Sequence, residues 1–185
     1  MNEEEILNEA ETAMQKTLSH LQAELLKIRT GKANPAMLDS VMVDYYGAPV
    51  PIQQVANVTT PDARTLVVQP WEKKVLGDIE KGIIQANLNL NPQNDGEIIR
   101  INVPPLTEER RKEMVKIAKA CGEDAKVAIR NSRREANEAT KKAQKDGLAE
   151  DLAKDLEASV QKLTDAMIAD VDALVARKEK EVLTV

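Results

Sequence analysis

Residues 104–145 leave the chain little conformational choice. Pro104 and Pro105 stop any helix arriving from upstream, because their rings fix φ and remove N–H donors. Thr107 then offers an N-cap, and Glu108 and Glu109 fall in a first turn where the helix dipole favours negative charge. No proline follows before Lys145, and the single glycine is Gly122. The segment predicts one helix from about Thr107 to Lys145.

Wound at about 100° per residue, this segment separates into two faces. Met114, Ile117, Ala118, Cys121, Ala125, Ala128, Ile129, Ser132, Ala136, Ala139 and Ala143 form the side expected to be buried. Lys112, Lys116, Lys119, Lys126, Arg130, Arg133, Arg134, Asn137 and Lys141 form another, with Glu123 its only acid. Residues 107–145 hold 12 Lys and Arg against 7 Asp and Glu, a charge of +5 in a chain of −5, so all the rest sums to −10. A solvated helix face normally mixes signs for i,i+4 pairing. This face does not, and its middle uses arginine, whose planar fork of donors suits phosphate. It points to polyanion binding.

The remaining composition supports helix packing. Hydrophobic residues make up 42%, but aromatics only 2% with no Phe, so the core must be aliphatic. The amino-terminal MNEEEILNEAE is acidic and amphipathic, unlike a secretory signal. No apolar run approaches a membrane span. Cys121 is the only cysteine and lies on the apolar face, which suggests a buried structural thiol. These features lead to the expectation of a cytoplasmic protein.

Two more helices are expected. Asn2 to Arg29 carries Leu7, Met14, Leu21 and Ile28 at seven-residue intervals, with Ala10, Thr17 or Leu18, and Leu25 between them, a coiled-coil-like seam. Gly31 is placed as its C-cap, and Asn34-Pro35 prevents resumption. From about Leu148 to Val182, after Asp146-Gly147, the residues Leu152, Leu156, Val160, Leu163, Met167, Val171 and Leu174 step by three or four. Three such helices can bundle. Between the first two, residues 40–103 differ in character. Val41 to Tyr45, Val55 to Thr59, Arg64 to Gln69 and Glu97 to Val103 read as strands. Tyr46-Gly47-Ala48-Pro49, Thr60-Pro61-Asp62 and Leu90 to Gly96 read as turns or loop. Trp71 to Ala86 reads as a helix with Val75, Leu76, Ile79, Ile83 and Ile84 on its apolar side.

The expected fold class is α+β: a long three-helix bundle, residues 1–30 with 105–185, carrying an inserted small β/α/β domain, residues 31–104. Two strands of chain join them. The expected hinge is Thr30, Gly31, Lys32, Ala33 and Asn34 on one side, and Val103, Pro104 and Pro105 on the other. Proline at Ala33 is expected to stiffen the first connection while leaving the bundle untouched.

No catalytic constellation is evident. His20 is the only histidine and is remote in sequence from Cys121. Zinc sites of the usual Cys/His spacing are excluded by count. Thr30-Gly31-Lys32 resembles the end of a phosphate-binding loop, but Leu26 and Ala33 stand where that motif needs Gly and Ser or Thr. No Gly-Gly-Gln occurs. The expectation is a non-enzyme with no catalytic residue, no metal and no cofactor.

Several long blocks carry a family resemblance. They are Lys27-Ile28-Arg29-Thr30-Gly31-Lys32-Ala33-Asn34-Pro35, Tyr45-Tyr46-Gly47, Leu90-Asn91-Pro92 with Gly96, and Pro104-Pro105-Leu106-Thr107-Glu108-Glu109-Arg110-Arg111-Lys112. Arg130-Asn131 with Arg133-Arg134 and Asn137, and Lys162-Leu163-Thr164-Asp165, complete the set. The sequence resembles the bacterial ribosome recycling factors along essentially its whole length, departing at Lys32, where the family commonly has Arg.

The resemblance implies an L-shaped, monomeric protein with a flexible hinge. It implies binding to the post-termination 70S ribosome through 23S rRNA. It also implies action with elongation factor G and GTP to split the subunits. The RNA-binding residues it implies, together with the basic face, are Arg29, Lys32, Arg111, Lys112, Lys126, Arg130, Asn131, Arg133, Arg134 and Asn137. The residues alone leave a second class open, a helical module whose basic face meets an acidic protein or a membrane surface. That face has no Trp or Phe fringe for membrane insertion.

Overall fold

The computed structural model describes residues 1–184 and divides into two compact units, residues 1–28 with 109–184 and residues 29–108. The fold is α+β.

The first unit is a three-helix bundle. Its opening helix, Glu3–Leu26 (α1), begins at a capping box: the Asn2 side chain accepts from the Glu5 N–H, and Glu5 reaches back to the Asn2 N–H. The buried stripe is Ile6, Ala10, Met14, Leu18, Leu21 and Leu25. Ile6 therefore takes the place expected of Leu7, which is half-buried, and Leu18 is chosen over Thr17. The helix ends on Lys27, whose N–H bonds back to the Glu24 and Leu25 carbonyls. Gly31 has a φ of 80° but lies four residues beyond that cap, so it shapes the exit of the chain and does not cap the helix.

The long helix Glu108–Lys145 (α3) starts directly after Thr107, and Glu150–Leu183 (α4) follows a short turn. Their mutual arrangement follows from two buried clusters. Met14, Leu21 and Leu25 meet Ala118, Ala125 and Ile129 with Met167, Val171 and Val182. Ile6 and Ala10 meet Ala136 with Leu156 and Val160. The beginning of α1 thus lies beside the end of α3 and the beginning of α4, which makes α3 antiparallel to both partners. On α4, Ala153 is buried where Leu152 was expected, and the stripe runs on through Thr164 and Lys178.

The buried stripe of α3 is rotated from its expected position. Gly122 and Thr140 are buried, whereas Ile117 is 46% exposed. Because α3 packs on two helices, the line of closest approach follows its smallest side chains. A Cβ on Gly122 would stand 2.6 Å from Val175 Cγ2. Thr140 satisfies its buried hydroxyl on the Ala136 carbonyl, 2.9 Å away.

The second unit holds two antiparallel sheets and one helix. Met42–Tyr45 (β1) pairs with Ala48–Pro51 (β2). Tyr46 and Gly47 are the two loop residues, with φ of 50° and 86°, as a type I′ hairpin requires. Ala48 and Pro49, expected in the turn, belong to β2. A non-glycine residue in this left-handed region costs about 1 kcal/mol.

The larger sheet has the order β3-β4-β6-β5, from Ala56–Asp62 (β3), Thr65–Pro70 (β4), Pro92–Asn94 (β5) and Ile99–Asn102 (β6). Thr60-Pro61-Asp62 lies in β3, and the turn comes at Ala63-Arg64. β3 is an edge strand, and its register shifts between Thr59 and Asp62, where Pro61 lacks an N–H. The segment expected as loop before Gly96 contributes β5. The helix Leu76–Gln85 (α2), after a 3-10 turn at Lys73–Val75, buries Leu76, Ile79, Gly82 and Ile83. Ile84, expected on that side, is 56% exposed. Leu76, Ile79 and Ile83 join Leu66, Ile99 and Ile101 in one contiguous core.

Candidate nucleic-acid interface

Helical geometry places Arg130, Arg133 and Asn137 on one ridge of α3, at i, i+3 and i+7. All three are half-buried, so their stems pack against the bundle while their polar ends reach solvent. Lys112 and Arg134 are exposed on the same side. This ridge borders the seam between α3 and α4.

Lys126 stands on the ridge but is committed within the bundle. Its Nζ lies 2.6 Å from Asp172 Oδ1 of α4 and 3.6 Å from Glu123, and its side chain is only 18% exposed. The hydrogen bond it donates to Asp172 is the main reason its ammonium is held above the ordinary lysine range. Lys126 therefore joins two helices, whereas the neighbouring arginines remain available.

Asn131 is not on the ridge. It lines the groove between α1 and α3 with Ser132 and Glu135, though its Oδ1 lies 3.5 Å from Arg134 Nη1. The same groove contains both His20 and Cys121, which sequence distance had set apart. The thiol there is not activated: burial, then the Glu24 and Asp124 carboxylates, push its pKa up. Arg111 is half-buried, and its Nε is enclosed without a hydrogen-bond partner.

Arg29 and Lys32 lie in the second unit. The Arg29 guanidinium donates to the Leu88 carbonyl, whereas Lys32 is exposed. The expected hinge residues fare differently. Ala33 N–H donates to the Ala63 carbonyl at 2.7 Å, and Val103 N–H donates to the Arg64 carbonyl at 2.8 Å. Both connections are therefore fastened to the same β3–β4 turn. Asn34 is an N-cap, its side chain accepting from the Ala36 N–H. Gly31, where an added Cβ would stand 3.5 Å from the Leu106 nitrogen, and the exposed Lys32, Pro104 and Pro105 lie outside these attachments.

Sequence reasoning missed a further cluster. Tyr45 and Tyr46 both donate their hydroxyls to Glu72, at 2.8 Å each, and their rings meet edge to face at 4.6 Å. The Tyr45-Tyr46-Gly47 triplet was visible, but its acidic partner lies 26 residues downstream of Tyr46 and required the fold. Among the described residues no group of three or more His, Cys, Asp or Glu could hold a metal ion, and no helix is long and apolar enough to cross a membrane.

The class defined by these features is a three-helix bundle with an α/β insertion and a cationic ridge on its longest helix. A family model for ribosome recycling factor matches residues 21–183. The ribosome-recycling factor of Parabacteroides distasonis is 53% identical over 182 residues, 98% of this chain and 97% of that one. That of Ralstonia pickettii is 54% identical over 186 residues, covering both chains fully. A solution structure of ribosome recycling factor is 39% identical, with a TM-score of 0.81 over 100% of this chain and 99% of the other. A second structure is 49% identical, with a TM-score of 0.67 over the whole of both chains. It belongs to models for the T. thermophilus ribosome recycling factor and the E. coli elongation factor G bound to the E. coli post-termination complex. The chain belongs to the ribosome recycling factor family.

Proposed function

We propose that this chain recycles ribosomes after translation termination. It binds the post-termination 70S complex and, with elongation factor G and GTP, promotes separation of the subunits and release of mRNA and tRNA. The observation that carries this reading is the full-length likeness, at 49% identity, to a structure from the recycling factor and elongation factor G on that complex.

The chain acts in the cytoplasm as a monomer without catalysing a reaction of its own. GTP hydrolysis belongs to its partner, since Leu26 and Ala33 break the phosphate-loop pattern. The ridge of Lys112, Arg130, Arg133, Arg134 and Asn137 meets 23S rRNA of the large subunit, with arginine supplying paired donors to phosphate. Lys126 contributes charge while bracing the helices, and Lys32 offers a single ammonium where the family commonly has a guanidinium. Gly31 and Lys32 on one connection, and Pro104 and Pro105 on the other, act as the hinge. Ala33, Asn34 and Val103 secure the insertion's own edge.

The test is light scattering of purified post-termination complexes mixed with the chain, elongation factor G and GTP. The scattering should fall as subunits part, and should not fall when elongation factor G is left out. Sedimentation of the chain with ribosomes that remain whole under the complete mixture would overturn the reading.

A further inference from the structure

The chain has three aromatic residues in 185, and all three lie in the inserted unit, two at the β1–β2 hairpin and one next to Glu72 in sequence. Tyr45 and Tyr46 are tied to Glu72, and Trp71 is the residue before it. Tyr46 is 73% exposed and Trp71 65%. Tyr45 packs its half-buried ring against the core, but folding alone does not call for exposing Tyr46 and Trp71. The core of the unit is aliphatic, and Tyr46 occupies the first position of a type I′ turn, with a φ of 50° that Asn, Asp or Gly would adopt more easily. Backbone strain of this kind collects where a side chain must be presented.

The hydroxyl bonds fix the rings. They also give Glu72 two donors, so its carboxyl titrates below the usual range while both phenols titrate above theirs. A phenol that donates to a carboxylate carries a more electron-rich ring, a better acceptor for a cation above its face. Asp44, in the same hairpin, holds a second carboxylate with its oxygen on the Gly47 N–H. Of the nearby lysines, Lys73 is paired with Glu97, and Lys74 acts on Glu72 itself, helping to lower its pKa. The rings thus stand among two carboxylates and one lysine, a net negative setting that disfavours a phosphate.

The geometry points to a docking surface for a protein that presents an arginine or lysine, with apolar neighbours, to the Tyr45–Tyr46–Trp71 cluster. Tyr and Trp are the residue types that carry binding energy at the centres of such contacts. The bundle ridge and this cluster then differ in partner: one takes a polyanion, the other a cationic protein face. This inference rests on the recycling reading for the particles in which the partner is sought.

A photoreactive residue tests it, with Trp71→p-benzoylphenylalanine placed in the full chain. The chain is irradiated with purified post-termination complexes, elongation factor G and GTP. The main adduct should be a protein peptide containing arginine or lysine. Adding Tyr46→Ala should lower its yield about fivefold, the loss of one cation–π contact. Adducts to rRNA alone would overturn the inference. So would a yield no higher than from the same probe at exposed Ile84, or a yield indifferent to Tyr46→Ala. The unsubstituted chain, assayed for splitting in parallel, reports on the recycling reading separately. Its failure would leave the adduct's identity to decide what the cluster contacts.

Discussion

The inserted unit stacks a helix on a sheet and gathers Leu66, Ile79, Ile83, Ile99 and Ile101 into one core with almost no exposed surface. The bundle spreads its apolar residues along three helices, one cluster around Met14, Ile129 and Val171 and another around Ile6, Leu156 and Val160. Neither core needs an aromatic ring. The bundle consequently keeps a long outer face on which like charges can be lined up. The insertion keeps short loops on which rings can be held at a fixed angle. The two architectures suit two kinds of recognition.

The comparison breaks most visibly in the cores. Ile101→Ala removes a fully buried side chain from β6, between β4 and β5, and should destabilise the inserted unit by about 2–5 kcal/mol. Amide hydrogen exchange should show β6 losing protection while α1 keeps it; equal loss in both would mean that the units share one cooperative core. Gly122→Ala acts on the other unit. Its new methyl meets the stiff Val175 side chain, so the bundle should lose about 1–3 kcal/mol by thermal or denaturant melting. An unchanged midpoint would show that the α3–α4 seam can open.

Lys126 sharpens the contrast between holding the bundle and reading a polyanion. Lys126→Ala removes a pair whose aspartate is well exposed, so stability should fall by less than about 1 kcal/mol. The salt dependence of ribosome binding should change less than for Lys112→Ala, because the Lys126 ammonium is already engaged. An equal change in slope would place Lys126 among the phosphate contacts.

The smallest effect is spectroscopic. The phenols of Tyr45 and Tyr46 are held above an ordinary value of 10.0, chiefly by the bond to Glu72, and Glu72 is held below 4.5 by the same bonds. The clamp is thus intact between those values. It weakens as pH rises through the folded phenol pKa and as pH falls through the folded carboxyl pKa. Ultraviolet titration of Glu72→Gln should bring phenolate formation back toward 10.0, and an unshifted curve would remove Glu72 as the cause.

Much of this was legible from sequence because it rests on periodicity. The helices, the insertion between the first two and the charge asymmetry of α3 all follow from spacing of 3.5 to 3.6 residues. What sequence misplaced depends on partners. The stripe of α3 turns toward Gly122 because Val175 of α4 approaches closely there, and small residues carry little hydrophobic signal. Asn131, named through the family resemblance and not through the basic face, lines the α1–α3 groove. Ala33 reads as a free link, yet its N–H serves the β3–β4 turn, so Ala33→Pro would break a bond as well as stiffen the chain. The strand β5 has only three residues and begins with proline, so its pairing with β6 could not be read locally.

The central claim is the division of labour between the ridge and the aromatic cluster. It is tested most directly by ribosome affinity measured across a range of salt for Arg130→Ala with Arg133→Ala, beside Tyr46→Ala with Trp71→Ala. If both arginines sit on phosphates, the first pair should flatten the log–log slope by roughly 1.4–1.8. The second pair should leave the slope as it is in the unsubstituted chain. An unchanged slope in the arginine pair, or a flattened one in the aromatic pair, would contradict the account.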